Sequence, residues 1–178
     1  VRWSGARVRE AVLSPHGLRA LGHCPDGDKT ITLIGPDEPV FWPIFTGSAE
    51  YADGAPDPMD RWSRRIITGV ADRLDAEPLF PFGGPPYAPF FTWAQASGRF
   101  WASPINFLVH EDAGLFASFR GAIRWDHQPD TVAAKQPCLT CAAPCAVACP
   151  VNAFPDGYDV AACQPHVTSA PRTDCRTQ

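Results

Sequence analysis

The chain has 178 residues, of which 45% are hydrophobic, and it contains 11 Phe and 6 Trp. This is enough apolar material for a core, so the composition excludes an intrinsically disordered chain and favours one domain of about 100 to 150 residues with a small appendage. The formal net charge of −4 gives no general basic surface for nucleic acid, apart from a local patch at Arg61, Arg64 and Arg65, and no apolar run is long enough to span a membrane.

The amino-terminal part predicts one weak helix and one buried strand. Residues 7–13 form a short, mixed segment that reads as a helix closed by turn-forming residues. Residues 30–34 are β-branched and apolar, and Gly35 and Pro36 end them, so we expect a buried strand there. Cys24 falls in the predicted loop before this strand, where a packing role is favoured over chemistry.

The clearest predicted helix covers 58–75. Asp57 is expected to cap its free N–H groups, and Pro58 suits the first helical position. Apolar residues recur every three or four positions and would line one buried face. These residues are Met59, Trp62, Ile66, Val70 and Leu74.

Proline dominates residues 78–89. One interpretation is a polyproline ligand for a partner protein. The other is a loop that is held to its own core by the interleaved Phe80, Phe82 and Tyr87, and we favour this second interpretation.

The following stretch predicts a short helix over 89–97 and two strands over 105–109 and 115–119. Helices and strands thus mix. We therefore predict an α+β domain over 1–130 and, after a polar stretch, a small cysteine-rich segment over 131–178.

Three consecutive polar residues, His110, Glu111 and Asp112, lie between the two predicted strands. Residues of these types can bind a metal or transfer protons. Polar residues between two strands nevertheless more often form a solvated turn, which we take as the simpler interpretation.

Four cysteines lie within 12 residues near the carboxyl end: Cys138, Cys141, Cys145 and Cys149, the last followed by Pro150. A run of the form C-x2-C-x2-C-x3-C-P is the bacterial ferredoxin pattern, in which thiolates hold iron–sulfur clusters. Here the middle gap is three residues, and small alanines and two prolines keep the loop tight and interrupt a continuous helix. The run predicts a [4Fe-4S] site.

Three alternatives to a cluster remain open for the cysteine run. Structural zinc also takes four thiolates, but usually as two separated pairs. A disulfide framework belongs to small secreted chains, and no charged-then-apolar signal segment opens this sequence. Buried free cysteines rarely recur so densely. Seven cysteines without a secretory signal indicate a reducing compartment, and we expect a cytoplasmic location.

Two downstream cysteines, Cys163 and Cys175, raise the candidate ligands to six. In two-cluster ferredoxins the fourth cysteine of a motif binds the other cluster, so two clusters need two full sets of four thiolates. Both ends of the sequence look cut, and we expect a longer natural chain that continues past Gln178 into a second motif. His166 is a further candidate ligand near Cys163, although a lone histidine is more often a surface or packing residue.

The order of these parts resembles the epoxyqueuosine reductase family and relatives of reductive dehalogenases. A compact α+β domain precedes the ferredoxin-type cysteine run, and Cys163 is similarly placed to a fifth family cysteine. Several residues upstream of the run follow an order similar to the family's. They are Ala88, Pro89, Gly98, Trp101, Asn106, Gly114, Phe116 and Gly121.

This resemblance implies a nitroreductase-like, cobalamin-binding domain joined to two [4Fe-4S] clusters. It also implies that Asp60, early in the predicted helix, is a proton donor in the reduction of a modified tRNA base. A structural role is equally simple, because an aspartate in the first turn of a helix is stabilised there by N–H groups and the helix dipole.

The sequence as a whole therefore predicts a ferredoxin-type, metal-binding protein for electron transfer. We expect Cys138, Cys141 and Cys145 to hold one cluster, and Cys149 either to complete it or to join Cys163 and Cys175 at a second. Its partner would be a redox protein rather than a membrane. The alternatives are a cobalamin-dependent oxidoreductase and a zinc-stapled interaction module.

Overall fold

The computed structural model describes residues 11–126, 134–155 and 157–169. The central sheet is antiparallel, with strand order β1-β2-β6-β3, and β4 and β5 form a separate pair. The strands are β1 Leu18–Asp26, β2 Lys29–Pro36, β3 Glu77–Leu79, β4 Phe100–Ala102, β5 Leu108–His110 and β6 Gly121–Trp125. The α-helices are α1 Phe41–Thr46, α2 Ala49–Ala52, α3 Pro58–Arg73, α4 Phe90–Ala96 and α5 Val160–Ser169, and short 3-10 helices cover Ser14–His16, Pro137–Thr140 and Pro144–Ala146.

Strand β2 is the centre of the sheet and is buried on both faces. Ile34 belongs to one hydrophobic cluster, while Ile31 and Leu33 belong to the other. The continuous β-branched and apolar run makes this strand recognisable in the sequence, and the prediction over 30–34 is confirmed.

Strand β1 precedes β2 and joins it through a two-residue turn. Asp26 pairs with Lys29, and Gly27 supplies the positive φ of 64° that this tight turn requires. Cys24, predicted in a loop, lies instead in β1 opposite Ile31, with 1% of its surface exposed. The loop assignment was wrong because Gly22 and Pro25, which are residue types typical of turns, interrupt the sequence pattern of the strand. The packing role predicted for Cys24 is confirmed.

Helix α3 covers one face of the sheet and confirms the predicted helix. Trp62, Ile66 and Val70 are buried against this face, as the periodicity predicted. Asp57 was expected to cap the helix, but it makes no side-chain capping bond. Its φ of 52° lies outside the extended conformation in which a capping side chain reaches back to the helix.

The opposite face of the sheet packs against α4, which confirms the helix predicted over 89–97. Phe90 and Ala94 are buried there with Phe100 of β4. The region 115–119 was predicted as a strand but forms none in the structure. Strand β5 pairs instead with β4, and Gly114, at φ 58°, forms an isolated bridge to His110 that turns the chain away.

The proline-rich loop is held to its own core, as favoured from the sequence. Phe80 packs against the α3 side of the core and contacts Phe82, and the guanidinium of Arg64 lies 4.8 Å and 5.2 Å from the two ring centres. Tyr87, in contrast, is 66% exposed.

Mixed helices and antiparallel strands agree with the α+β class predicted from the sequence. The longest described helix has 16 residues, and no described helix combines the length and the apolarity that crossing a membrane requires. The domain boundary predicted near residue 130 and most of the helix predicted over 7–13 lie outside the described residues.

Candidate metal centre

The cysteine run lies on a chain of short turns. Cys138 is in the first 3-10 helix of the segment and Cys145 is in the second, while Cys141 and Cys149 follow them. Cys141 is exposed and the other three are partly buried. All cysteines of the described ranges are free thiols, so four sulfurs in this segment are available as ligands.

Backbone geometry explains why this segment does not continue as one helix. Cys141 donates its N–H to the carbonyl of Cys138 at 3.4 Å, and Val147 donates to Pro144 at 3.2 Å. Between these turns Ala143 adopts a left-handed conformation with φ 52°. Ala143 lies in the three-residue middle gap, and this conformation turns the chain between Cys141 and Cys145.

The sulfur of Cys149 is a hydrogen-bond acceptor. Ala153 donates its backbone N–H to this sulfur at 3.2 Å, and Ala153 itself is completely buried. The carbonyl of Ala153 in turn accepts the N–H of Asp159 at 2.8 Å. One buried residue therefore links Cys149 to the chain that leads into α5.

Cys163 lies in the first turn of α5. Asp159 caps this helix, because its Oδ1 accepts the N–H of Ala162 at 3.0 Å while its carbonyl accepts the N–H of Cys163 at 3.1 Å. The Cys163 side chain raises the pKa of the Tyr158 hydroxyl, and burial and the charge of Cys149 act in the same direction.

Three aromatic rings join the cysteine segment to the α+β body. Phe154 and Tyr158 are stacked with ring centres 5.1 Å apart, and Phe107 meets them edge-on at 5.4 Å and 6.1 Å. Phe107 belongs to the turn between β4 and β5. The loop after Cys149 is therefore packed on the body rather than separate from it.

The described cysteines do not form a compact site for a single metal ion. No three of their sulfurs lie within 4.8 Å of one another. Four thiolates around one zinc ion would be about 3.8 Å apart, given a tetrahedral geometry with bonds of about 2.3 Å. Cys175, the sixth predicted ligand, lies outside the described residues.

His110, Glu111 and Asp112 do bring their ligand atoms within 4.8 Å of one another. Both ring nitrogens of His110 are already used, however. Nε2 bonds the carbonyl of Leu21 at 2.9 Å, and Nδ1 accepts the N–H groups of Asp112 and Ala113 at 3.2 Å. The two carboxylates form ion pairs with a single arginine, Arg99. This group is accordingly structural.

The solvated turn expected at these three residues was wrong for His110. The imidazole has only 1% of its surface exposed, and burial is the main cause that lowers its pKa. The sequence does not show this burial, because it depends on a contact with Leu21 that is 89 residues away.

Asp60 lies in the first turn of α3 and is partly buried. Burial lowers the pKa of Arg120, and the charge of Asp60 opposes this. A cavity of about 550 Å³ lies elsewhere, between β1, the end of β2 and the segment 112–118, and Asp60 is not among its lining residues. The described structure therefore does not place the proposed donor beside this cavity.

The predicted basic patch on α3 is largely neutralised. Arg61 pairs with Asp53 at 2.8 Å, and Arg65 pairs with Glu50. Arg64 covers the two aromatic rings of the proline-rich loop instead. The patch thus has a structural role within the described part of the chain.

Two residues that sequence reasoning missed are Ala153, which donates its N–H to the candidate ligand Cys149, and Tyr158, which stacks on Phe154 in the loop after that cysteine. A signal was present, because Phe154 and Tyr158 are large aromatic residues between two candidate ligands. Comparison with protein-family models, with curated proteins and with solved structures finds no match to this chain.

Proposed function

We propose that this chain is an iron–sulfur redox protein that carries electrons through one or two [4Fe-4S] clusters. Cys138, Cys141 and Cys145 would hold one cluster, and Cys149 would complete it or would join Cys163 and Cys175 at a second. The proposal depends mainly on the cysteine run, whose four thiols are free and lie on short turns.

The donor set fits such a cluster chemically. Thiolates are its usual ligands, and N–H groups directed at the sulfurs help to set its reduction potential. The hydrogen bond from Ala153 to Cys149 is of this kind. When bound, a cluster of this type supplies one-electron transfer, while the residues of the chain hold it and limit its contact with water.

Structural zinc is the main alternative to a cluster at these cysteines. No three sulfurs of the described cysteines lie within 4.8 Å of one another, whereas the thiolates around one tetrahedral ion lie closer together than this. A [4Fe-4S] cluster separates its thiolates more widely, because four irons and four sulfides lie between them. A zinc-stapled interaction module remains the alternative that metal analysis would reveal.

A redox protein as partner and a cytoplasmic location belong to this proposal, because reduced thiols suit a reducing compartment. The cobalamin-dependent reductase, with Asp60 as acid and a tRNA base as substrate, rests on the sequence resemblance alone. Adding a corrinoid to the purified protein tests it directly. A spectral change of the corrinoid would support this alternative.

The deciding experiment is anaerobic assembly of the protein with iron and sulfide, followed by analysis of both elements and by electron paramagnetic resonance of the reduced sample. We expect about four irons and four sulfides for each cluster, and visible absorption that bleaches on reduction. Cys141→Ala should lower the iron content, whereas Cys24→Ala should retain it because Cys24 is a buried core residue. Zinc without sulfide, or equal iron in both variants, would contradict the proposal.

A further inference from the structure

We infer that the cavity beside β1 binds a small zwitterion of the amino-acid type, which carries a carboxylate, an ammonium group and an apolar side chain. The cavity has a volume of about 550 Å³, which is typical of small-molecule sites. Its lining combines one arginine, unpaired carboxylates and an apolar wall. The residues concerned are Arg19, Asp37, Glu38, Leu21 and Phe116. The cavity belongs to the α+β body, so its ligand is independent of the proposed cluster.

Arg19 brings to the cavity a cation that the described chain leaves unpaired. Its Nε is buried without a hydrogen-bond partner, and its guanidinium forms no ion pair with a described residue. Arg99 and Arg124, in contrast, are both paired with carboxylates. An arginine presents a planar fork of N–H donors that matches the two oxygens of a carboxylate. A ligand carboxylate would therefore supply the acceptor that Arg19 lacks.

A β-bulge shapes one wall of the cavity. The register of β1 against β2 shifts between Ala20 and Gly22, which makes Leu21 the extra residue of β1. Bulges are frequent beside binding sites because they redirect a side chain. Gly35 of β2 leaves room here, since Leu21 and the carbonyl oxygen of Ser118 each lie 2.4 Å from where a Cβ of Gly35 would be. This close approach brings β1 and the segment 112–118 together at the cavity wall.

Phe116 lines the cavity with a ring that is not packed against the body. The residue is 82% exposed, and within the described ranges its ring makes no contact with another aromatic ring. Its backbone is nevertheless fixed, because its N–H is bound to the carbonyl of Ala113 at 3.1 Å and the neighbouring Gly114 bridges to His110. A large apolar ring that is held at a concave site is a contact surface for the apolar part of a ligand.

Two carboxylates give the ligand its second charge. Asp37 is held through its backbone, because its N–H is bound to the carbonyl of Gly17 at 2.8 Å, and Glu38 is exposed. Neither side chain forms an ion pair within the described part of the chain. Asp112 also lines the cavity but already pairs with Arg99 at 3.3 Å. Two free carboxylates beside one free cation repel a purely anionic ligand and suit a molecule that carries both charges.

The test uses the full chain and three probes that share a phenyl ring. L-phenylalanine carries both charges, hydrocinnamate lacks the ammonium group, and phenethylamine lacks the carboxylate. L-leucine is a second zwitterion with a different apolar side chain. Saturation-transfer NMR detects binding, and titration of the amide signals of Ala117 and Ser118, which line the cavity, locates it and gives the affinity.

Three variants separate the two ends of the ligand. Arg19→Met keeps the apolar stem of the side chain and removes its charge. Arg120→Met is the matched control, because Arg120 is also partly buried, also has a buried Nε without a partner, and does not line the cavity. The double variant Asp37→Asn with Glu38→Gln removes the carboxylates, and it tests the site independently of Arg19. The amide spectrum of each variant shows whether it is folded.

We expect wild type and Arg120→Met to bind L-phenylalanine about tenfold more tightly than either single-charge probe, because a hydrogen bond to a charged group contributes at least that factor. Arg19→Met should lose the advantage over phenethylamine, and the double variant should lose the advantage over hydrocinnamate. Failure of both zwitterions to bind wild type at about 10 mM would overturn the inference. So would equal binding of all three phenyl probes to wild type, or a wild-type affinity for L-phenylalanine in folded Arg19→Met or in the double variant.

Discussion

The backbone N–H of Ala153 is aimed at the sulfur of Cys149 across 3.2 Å. Ala153 has no exposed surface, so this donor is held by close packing and not by solvent-exposed loop structure. The same residue accepts the N–H of Asp159, which begins the approach to α5. Ala153 therefore connects the last cysteine of the run to the next cysteine along the chain.

Ala153→Leu should loosen the hold of the chain on iron. A larger side chain at a fully buried position costs about 1–3 kcal/mol of folding free energy and displaces the local backbone. The N–H would then move away from Cys149, and we expect less iron per chain after assembly and desalting. Ala142→Leu makes the same change at an exposed position of the cysteine segment. Equal iron content in the two variants would contradict this role of Ala153.

Stability should fall on acidification because His110 is buried as a neutral imidazole. Burial lowers its pKa, although the hydrogen bond to Leu21 opposes this. As the pH falls below about 6.5, the unfolded chain binds a proton that the folded chain does not. The stability present above that pH is therefore lost as the pH falls towards the lowered pKa of His110 in the folded protein. Unfolding curves recorded between about pH 7 and pH 5 would measure this loss.

His110→Gln separates this effect from other titrating groups. The variant should be less stable at neutral pH by about 1–3 kcal/mol, because buried hydrogen-bonding groups lose a partner. Its further loss on acidification should be smaller than that of wild type. His16 also has a pKa lowered by burial and by Arg73 and Arg65, but it is present in both proteins. Parallel stability curves for the two proteins would count against His110 as the source.

The sequence predicted those elements whose pattern is local. Helix α3 carries its own 3.6-residue periodicity, and β2 is a continuous apolar run. Strands β3 and β6 were missed because β3 has three residues with Pro78 at its centre, while β6 is defined by its pairing with β2 and β3. These pairings depend on chain segments far apart in sequence, and no local pattern encodes them.

The candidate site likewise has some features that a local sequence pattern predicts and others that no local pattern encodes. The spacing of the cysteines predicts the candidate ligands, because the spacing itself is the chemical requirement of a cluster. The contacts to those ligands depend on turn conformations such as the φ of 50° at Asn152, which sets Ala153 beside Cys149. Asparagine tolerates this conformation, but its presence does not require it.

The stacking of Arg64 on the proline-rich loop should contribute measurably to stability. A cation over an aromatic face at an exposed site is worth about 0.5–1 kcal/mol. Arg64→Met keeps the apolar stem and removes the charge, and Phe82→Leu removes one ring. A double-mutant cycle on the free energy of unfolding should give a coupling of that size. A coupling near zero would show that the loop is held by Phe80 and not by the cation.

Cys24 should be the least reactive thiol of the described chain. Burial, with a smaller contribution from the charge of Asp26, raises the pKa of Cys24 to about 11. Since the thiolate is the reactive species, iodoacetamide at about pH 8 should leave Cys24 of the folded protein unmodified, whereas exposed cysteines react.

The measurement is peptide mass spectrometry on iron-free protein, with Cys141 as the exposed comparison. Denaturant should abolish the difference, because unfolding returns the thiol to water. Labelling of Cys24 at the rate of Cys141 in the folded protein would mean that β1 opens far more readily than its pairing with β2 implies.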